Sequence, residues 1–222
     1  MVVKVYGNIF SPYVQLVVIA LREAKVQYEL VPVEDQKSPE YLSKQPFGQV
    51  PLLEDEDGFL IYESRAIARY IISKYAPKSA LIPKGLKENA LFEQAVSIET
   101  SNFSPNAYNL VRESFSATIT GVPPNEERLT ELRKTFSDKL KGYDAILGKQ
   151  KYLAGNEITL ADLFHLPMGA LSFERIGFKG VYEYPNVKRW WEEITSIPVW
   201  KEIWVEATVA FEEFSKKRSA KS

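Results

Sequence analysis

The sequence predicts a small α/β domain built on a mixed four-stranded sheet, followed by a domain made only of α-helices. In residues 1–76, short runs of β-forming residues alternate with helical patterns in the order β-α-β-α-β-β-α. Farther along the chain strand patterns fade, and apolar residues recur at spacings of three and four. Residues 77–88 have the proline, glycine and lysine content of a linker. We therefore expect two domains, residues 1–76 and 89–222.

The composition is that of an ordinary globular protein, and it excludes several functional classes. Among 222 residues, 28 lysines and arginines stand against 29 aspartates and glutamates, so the formal net charge is -1 and nothing in it indicates binding to nucleic acid or to an anionic membrane. The absence of cysteine excludes disulfides, thiolate metal sites and a cysteine nucleophile. The N-terminus lacks a secretory signal pattern, and no apolar run is long enough to span a bilayer. We expect a cytoplasmic protein without a metal site.

The N-terminal elements are predicted from alternation and from two Ser-Pro pairs. Val2–Tyr6 alternates as a first strand, and Tyr28–Val33 forms a second. Between them Ser11-Pro12 has the form of a helix start, with serine at the cap and proline at the first helical position. Ser38-Pro39 starts a second, short helix in the same way. Residues 2–33 are therefore a β-α-β unit.

The stretch Pro46–Ser64 predicts a β-hairpin that runs into a helix ending near Tyr75. It contains two apolar runs on either side of the Asp57-Gly58 turn. Proline at position 51 stands just before the first run, where a missing N–H is tolerated. A sharp turn at this proline would leave Val50 with unpaired backbone groups, which can pair with an extended peptide.

A helix N-terminus directly follows this hairpin. Glu63 and Ser64 lie among N–H groups that lack helical partners, where partial positive charge favours an anion. With the edge at Val50, this pattern predicts a site for a small peptide that carries a carboxylate and an amine. A Val-Pro turn and a serine cap also occur in proteins without a ligand. The pattern alone therefore leaves a purely structural role open.

Ser11 is the strongest catalytic candidate. It lies at the N-terminus of the first helix, where its hydroxyl could donate a charge-assisted hydrogen bond to a bound thiolate. The same residue type is common as a simple helix cap, so both interpretations stay open. No G-x-S-x-G motif surrounds it, and the only histidine, His165, lies among apolar residues, which is typical of a packed core residue.

Two further groups of side chains are candidates for ligand contacts. Gln36 and Lys37 lie in a polar loop and could reach a carboxylate or amide of a ligand held against Val50, although a loop lysine is often merely solvated. Aromatic residues could line an apolar cleft beside Ser11 if the first helix faces a helix of the second half, or they could pack in the core. These aromatic candidates are Phe10, Tyr13, Phe103 and Tyr108.

The second half is predicted to be helical throughout. A first helix, marked by Leu91, is interrupted by a kink at Pro105, and a long amphipathic helix spans Leu129–Leu147. Thr159–Asp162 has the form of a capping box, and further helices begin near residues 187 and 198. The basic segment Lys216–Ser222 is interpreted as a solvated end.

Together these motifs resemble the cytosolic glutathione transferases, and most closely the phi class. The resemblance spans nearly the whole chain, and the ordered combination of motifs is more specific than any one of them. The matching segments are Ser11-Pro12, Lys37–Leu42, Pro46–Pro51, Glu63–Ile67, Asn102–Pro105 and Thr159–Leu163.

The resemblance implies a thioredoxin-like N-terminal domain, an all-helical C-terminal domain, a homodimer, and glutathione as co-substrate. It implies that Ser11 stabilises the glutathione thiolate and that the glycine end is held by Gln49 with Gln36–Lys37. It further implies that Val50, ahead of a cis Pro51, pairs with the cysteinyl residue, and that Glu63–Ser64 binds the γ-glutamyl end.

Two positions depart from the pattern of the phi class. Gln36 stands where a histidine is common, and the loop before Lys37 is shorter than expected, which affects how tightly the glycine end is held. Tyr13 stands where smaller residues are usual and would reshape the electrophile pocket. The lack of cysteine argues against the thiol-transferase branches of the superfamily, which need a thiolate of their own.

The expected function is a glutathione transferase that conjugates hydrophobic electrophiles, with reduction of organic hydroperoxides left open as a side activity. The alternative is a non-catalytic carrier, or ligandin, of hydrophobic molecules on the same fold. A structural or translation-factor module is a third and weaker hypothesis, because such proteins usually carry this fold within a longer chain.

Overall fold

The structure, a computed structural model, describes residues 2–219, with side chains described as far as Lys216. The chain forms two compact units, one of residues up to Ser79 together with those from Ile197 onward, and one of Ala80–Ser196. The domains predicted from the sequence were residues 1–76 and 89–222. The end of the chain differs, because residues from 197 were expected in the helical domain and are grouped with the first unit. The predicted basic segment lies mostly outside the described side chains.

The first unit contains the predicted mixed four-stranded sheet, in the strand order β2-β1-β3-β4. Its strands are β1 (Val3–Tyr6), β2 (Tyr28–Val31), β3 (Leu52–Glu54) and β4 (Leu60–Tyr62). β1 pairs with β2 in parallel, and the β1–β3 and β3–β4 pairs are antiparallel. β2 ends before the predicted Val33 because the next residue, Pro32, has no N–H to donate to the ladder.

Three helices complete the α/β part of this unit: α1 (Pro12–Glu23), α2 (Pro39–Lys44) and α3 (Ser64–Tyr75). α1 and α3 pack against each other, and their inward residues join the strands in one core. The fully buried core residues include Val3, Val5, Val14, Val17, Leu21, Leu52, Ile67 and Ile71. Burial of such a side chain stabilises the fold by roughly 1.5 to 3 kcal/mol.

The last helix, α11 (Pro198–Ser219), belongs to the first unit because it packs on α1. Arg22 of α1 lies 2.6 Å from a carboxylate oxygen of Glu206 and 3.7 Å from one of Glu202. Ile203 and Ala207 are buried on the same helix. Apolar burial and ion pairs together explain why this helix groups with a sheet far from it in the sequence.

The second unit is helical. Its α-helices are α4 (Leu86–Ile98), α5 (Ser104–Ser114), α6 (Ser116–Thr120), α7 (Glu126–Leu147), α8 (Leu160–Leu163), α9 (Leu166–Ala170) and α10 (Pro185–Thr195). π-helical turns lie at Glu99–Phe103 and Leu171–Arg175, and a 3₁₀ turn at Lys179–Glu183. The interruption predicted near Pro105 is the first of these π turns, which ends at the residue before α5. α4 begins inside the predicted linker.

Aromatic side chains fill the core of this unit. Phe103 is fully buried, and its ring centroid lies 4.5 Å from that of His165 and 5.1 Å from that of Phe136. His165 is itself fully buried, as its apolar neighbours predicted. Its Nδ1 lies 2.8 Å from the carbonyl oxygen of Ala161, and its Nε2 lies 3.1 Å from the hydroxyl of Tyr143. Both ring nitrogens are therefore used within the core.

The predicted capping box starts α8 and has a second role. The Asp162 carboxylate accepts hydrogen bonds from the backbone N–H and the hydroxyl of Thr159, each at 2.9 Å. It also accepts from the Leu153 N–H at 2.9 Å and from the indole of Trp190 at 3.0 Å. Asp162 is fully buried, so these four donors offset the cost of removing its carboxylate from water.

Candidate glutathione site

The loop between β1 and α1 carries Ser11 and is held in place from both sides. Ser11 is the N-cap residue of α1, but its side chain makes no capping hydrogen bond to the first turn. Its N–H donates to the Asn8 carbonyl at 2.9 Å. The Gln15 amide donates to the Ile9 carbonyl at 3.0 Å. The loop is thus fixed while the Ser11 hydroxyl is left out of helix capping.

Gly7 brings this loop against Val50. It has φ +140, and an added Cβ would lie 2.6 Å from a methyl of Val14 and 3.2 Å from Cβ of Val50. Only glycine allows so close an approach at this φ. The end of β1, the start of α1 and the segment before β3 therefore meet at one corner of the first unit. Ser11 and Val50 both belong to that corner.

Val50 presents free backbone groups at this corner. The Val50-Pro51 peptide bond is cis, and β3 starts only at Leu52. Within the described residues, neither the N–H nor the carbonyl of Val50 makes a backbone hydrogen bond. An extended peptide can therefore pair with this residue through its main chain.

The loop before Val50 is positioned by side chains from α2 and the residue after it. The Tyr41 hydroxyl donates to the Gln49 carbonyl at 2.7 Å. Burial raises the pKa of Tyr41 to about 12, so this hydroxyl remains a donor at neutral pH. The buried Gln45 accepts from the N–H of Phe47 at 2.8 Å and from that of Gln49 at 3.3 Å. The sequence analysis missed both supporting residues, because no local motif marks them.

Gln36 and Lys37 lie against the same loop. Lys37 Nζ donates to the carbonyls of Phe47 at 2.9 Å and of Gly48 at 3.2 Å. An added Cβ on Gly48 would lie 2.5 Å from the carbonyl oxygen of Gln36. The structure thus brings the predicted pair Gln36–Lys37 next to the loop that carries Gln49, and the Gln36, Lys37 and Gln49 side chains are exposed.

Glu63 and Ser64 follow β4 directly and start α3. Leu52 pairs with Tyr62 in the β3–β4 ladder, so the next residue, Glu63, lies at the level of Pro51. Glu63 is exposed and has φ +71, a conformation that costs a non-glycine residue on the order of 1 kcal/mol. Such strain is common at ligand sites. Ser64, the first residue of the 12-residue helix α3, is buried.

The four aromatic candidates occupy different environments. In the first unit, Phe10 and Tyr13 are partly exposed, and Phe10 stacks on Phe214 of α11 with ring centroids 4.9 Å apart. In the second unit, Tyr108 of α5 is 40% exposed, whereas Phe103 is fully buried in the aromatic core. The position of Phe103 favours a packing role for it. Phe214 was not among the sequence candidates, because nothing near it in the sequence marks it.

The described residues lack two further features. They contain no group of three or more histidine, aspartate or glutamate residues placed to hold a metal ion. In this part of the chain no helix combines the length and apolarity needed to cross a membrane.

Comparison with known proteins identifies the family. The model of the glutathione S-transferase N-terminal domain matches residues 1–73, and that of the C-terminal domain matches residues 104–198. Glutathione S-transferase PM239X14 of Arabidopsis thaliana is 45% identical over 196 residues, which cover 85% of this chain and 89% of the relative.

Solved structures agree with this assignment and with the predicted fold. The chain is similar to glutathione transferase F7 from Populus trichocarpa, with a TM-score of 0.87 and 33% identity over 93% of this chain and 99% of that one. It is also similar to a maize glutathione S-transferase I in complex with an atrazine glutathione conjugate, with a TM-score of 0.87 and 30% identity over 94% of this chain and 99% of that one. The chain therefore belongs to the glutathione S-transferase family, as the sequence motifs predicted.

Proposed function

We propose that this protein transfers glutathione to hydrophobic electrophiles and that Ser11 stabilises the reactive thiolate. The observation that carries the proposal is the corner of the first unit. There the Ser11 hydroxyl, unused for capping, lies at the start of a 12-residue helix, and the Val50 backbone is unpaired among the described residues. A peptide paired with Val50 would place its cysteinyl residue at this corner.

The proposed reaction requires ionisation of the glutathione thiol and positioning of the thiolate next to the electrophile. A free thiol has a pKa near 8.5, and each unit by which it is lowered requires about 1.4 kcal/mol. A helix N-terminus stabilises an anion by roughly 0.3 to 1 kcal/mol, and a charge-assisted hydrogen bond by roughly 1.5 to 3 kcal/mol. Together these two effects lower the thiol pKa by roughly one to three units, which brings it to neutral pH or below.

The rest of glutathione finds complementary groups in the same unit. Lys37, with Gln36 and Gln49, supplies a positive charge and amides for the glycine carboxylate. Glu63 and the α3 N-terminus with Ser64 suit the γ-glutamyl amine and carboxylate respectively. Lys37 Nζ already donates hydrogen bonds to two backbone carbonyls, so a bound carboxylate would form an ion pair with a cation that is held in place.

The electrophile is proposed to contact Phe10 and Tyr13 of the first unit. The contact expected of Tyr108 stays a prediction from the sequence, and Phe103 packs in the aromatic core of the second unit. A maize relative is known in complex with an atrazine glutathione conjugate, which supports a hydrophobic electrophile for this chain as well. The named relatives are transferases, which favours the enzyme over the carrier hypothesis. Hydroperoxide reduction would use the same thiolate. A homodimer and a cytoplasmic location complete the proposal, and both rest on the family.

The proposal is tested by the ultraviolet absorbance of the thiolate of bound glutathione as a function of pH. We expect the pKa of the bound thiol to lie well below that of free glutathione in the wild type and to rise again in Ser11→Ala. This variant should keep its affinity for glutathione and lose most of its turnover. Ser38→Ala is the matched control, because Ser38 also starts a Ser-Pro helix but caps it by accepting from the Tyr41 N–H at 3.2 Å.

Each outcome has a distinct meaning. Bound glutathione with an unshifted thiol, and no turnover of electrophiles, would favour the carrier hypothesis. A shift that survives Ser11→Ala would reject the role of Ser11 while leaving the transferase activity in place. An equal loss in Ser38→Ala would mean that any helix-cap change disturbs the site.

A further inference from the structure

Gln15 of α1 is buried in the turn of helix that follows Ser11. It is 1% exposed, and in this fully described helix it is the one polar member of the buried set, residues 14–21. Its amide Nε2 donates to the Ile9 carbonyl at 3.0 Å, and its backbone N–H donates to the Ser11 carbonyl at 3.0 Å. One residue therefore holds two carbonyls of the loop, on either side of Phe10.

The bond from the Gln15 side chain to Ile9 has no substitute in the loop. Ser11 has φ -73 and ψ 123, and its N–H donates to the Asn8 carbonyl at 2.9 Å. Any residue type except proline could make the main-chain bonds. Among the described residues, Gln15 alone contributes a side-chain hydrogen bond to positions 8–11. The glutamine side chain therefore restrains the loop conformation in which Ser11 keeps its hydroxyl out of helix capping.

The oxygen of the same amide indicates that stability does not require glutamine at position 15. Its Oε1 is buried and has no hydrogen-bond partner among the described residues. A buried polar atom left unpaired costs at least as much free energy as a typical hydrogen bond contributes. Gln45, which is 2% exposed, instead uses its Oε1 to accept from two backbone N–H groups. An apolar side chain of similar length would pack at position 15 without this cost, as the buried apolar neighbours of Gln15 in the helix do.

We infer that Gln15 is a positioning residue, which at a cost in stability holds the Ser11 loop in the conformation that presents the hydroxyl to the glutathione thiolate. The inference rests on the proposed function of Ser11. Gln15 itself is too deeply buried to touch glutathione, so it acts through Ser11. A charge-assisted hydrogen bond weakens when its donor is displaced, because its strength depends on distance and angle. Loss of the bond to Ile9 should therefore raise the pKa of the bound thiol.

The experiment compares Gln15→Met and Gln15→Leu with wild type by thiolate absorbance of bound glutathione, by kcat/KM for chlorodinitrobenzene at saturating glutathione, and by urea unfolding. We expect the thiol pKa to rise by about one unit, which lowers kcat/KM about tenfold at pH values below the wild-type pKa. The rate should recover at high pH, where the thiol ionises unaided. The KM for glutathione should change by less than about twofold. The urea midpoint should equal or exceed that of wild type.

Gln150→Met is the matched control, because it makes the same chemical change in the second unit. The Gln150 amide donates to the carbonyls of Tyr152 and Leu153, each at 2.8 Å. This variant should lower the urea midpoint and leave the thiol pKa unchanged, so the two substitutions separate stability from thiol ionisation. An equal rise of the thiol pKa in Gln150→Met would overturn the inference.

A double variant tests whether Gln15 acts through Ser11. In the Ser11→Ala background, Gln15→Met should leave the thiol pKa where Ser11→Ala alone puts it. A further rise there, an unchanged pKa in Gln15→Met and Gln15→Leu, or a urea midpoint that falls in both would overturn the inference while the transferase function stands. A bound thiol with an unshifted pKa in wild type would overturn the proposed function and this inference with it.

Discussion

Gly48 shows how one residue without a side chain can set the geometry of a binding loop. Its φ is +58, and an added Cβ would lie 2.5 Å from the carbonyl oxygen of Gln36 and 2.7 Å from Nζ of Lys37. Gly58, in the β3–β4 turn, has φ +84 but no atom within 4 Å of the same added Cβ. Alanine is conformationally unfavourable at both positions and sterically blocked only at Gly48.

This contrast yields a prediction for glutathione binding. Gly48→Ala should raise the KM for glutathione on the order of tenfold, because Gln36 and Lys37 must move away from the proposed glycine end. Gly58→Ala should change that KM by less than about twofold, although both variants lose roughly 1 kcal/mol of stability to the positive φ. Steady-state kinetics and urea unfolding of the two variants check this. Equal effects on KM would show that steric crowding at Gly48 does not control the site.

At the same scale, local patterns predicted backbone positions better than side-chain contacts. Ser11 was expected at the N-cap of a helix and occupies that position, because serine followed by proline has a strong local preference for a helix start. The bonds of Lys37 to the carbonyls of Phe47 and Gly48 could not be predicted, because the partners come from another loop. The stack of Phe10 on Phe214 joins residues from opposite ends of the chain, which no sequence window contains.

Between elements, a buried aspartate joins the β3–β4 hairpin to α3. Asp55 accepts from the hydroxyls of Tyr70 and Tyr75, from Nζ of Lys74 at 2.6 Å and from the N–H of Glu56 at 2.7 Å. Burial alone would raise the pKa of Asp55, but these donors outweigh it and lower the pKa to about 2. The carboxylate therefore fixes the hairpin that leads into the proposed γ-glutamyl site.

The direction of this pKa shift predicts how stability depends on pH. Since the pKa is lowered on folding, from an ordinary 3.8 to about 2, the ionised carboxylate stabilises the protein above pH 4. The benefit, about 2 kcal/mol, is lost as pH falls from about 4 through about 2. Asp55→Asn should therefore be less stable by about 2 kcal/mol at pH 7 and approach the wild type at low pH.

Urea unfolding at several pH values measures this difference directly. Asp57→Asn is the matched control in the same turn, because Asp57 is exposed and should contribute less than about 0.5 kcal/mol. A stability difference between wild type and Asp55→Asn that stays constant from neutral to low pH would contradict the assignment.

Helices and strands were predicted correctly where one hydrophobic period dominates the local sequence. Features that depend on packing between distant residues were missed. The hairpin, α3 and the long helix α7 follow from alternation, an Asp-Gly turn and amphipathic spacing. The grouping of α11 with the first unit was missed, because it depends on Arg22, Glu202 and Glu206 meeting across the fold. The short helix α6, without a buried residue, has no apolar period from which it could be predicted.

At the scale of the whole molecule, the first unit has an exposed apolar region at one edge of its sheet. β4 is an edge strand, and large apolar side chains near it are exposed: Phe47 by 61%, Phe59 by 46% and Leu60 by 38%. The ring of Phe47 packs edge-on against that of Tyr62, with centroids 6.1 Å apart. Exposed edges with apolar side chains favour association, so burial of this region would stabilise the proposed homodimer.

We therefore expect sedimentation equilibrium to show a dimer at micromolar concentration, and Phe47→Ala to raise its dissociation constant. Burial of a phenylalanine contributes roughly 1.5 to 3 kcal/mol, and a symmetric dimer buries two copies, so the increase should exceed about tenfold. Val122→Ala removes an apolar side chain of similar exposure, 62%, from a loop of the second unit and should leave the constant unchanged. A monomeric wild type would remove the dimer from the proposal, and a dimer insensitive to Phe47→Ala would show that Phe47 is not among the residues whose burial holds the dimer together.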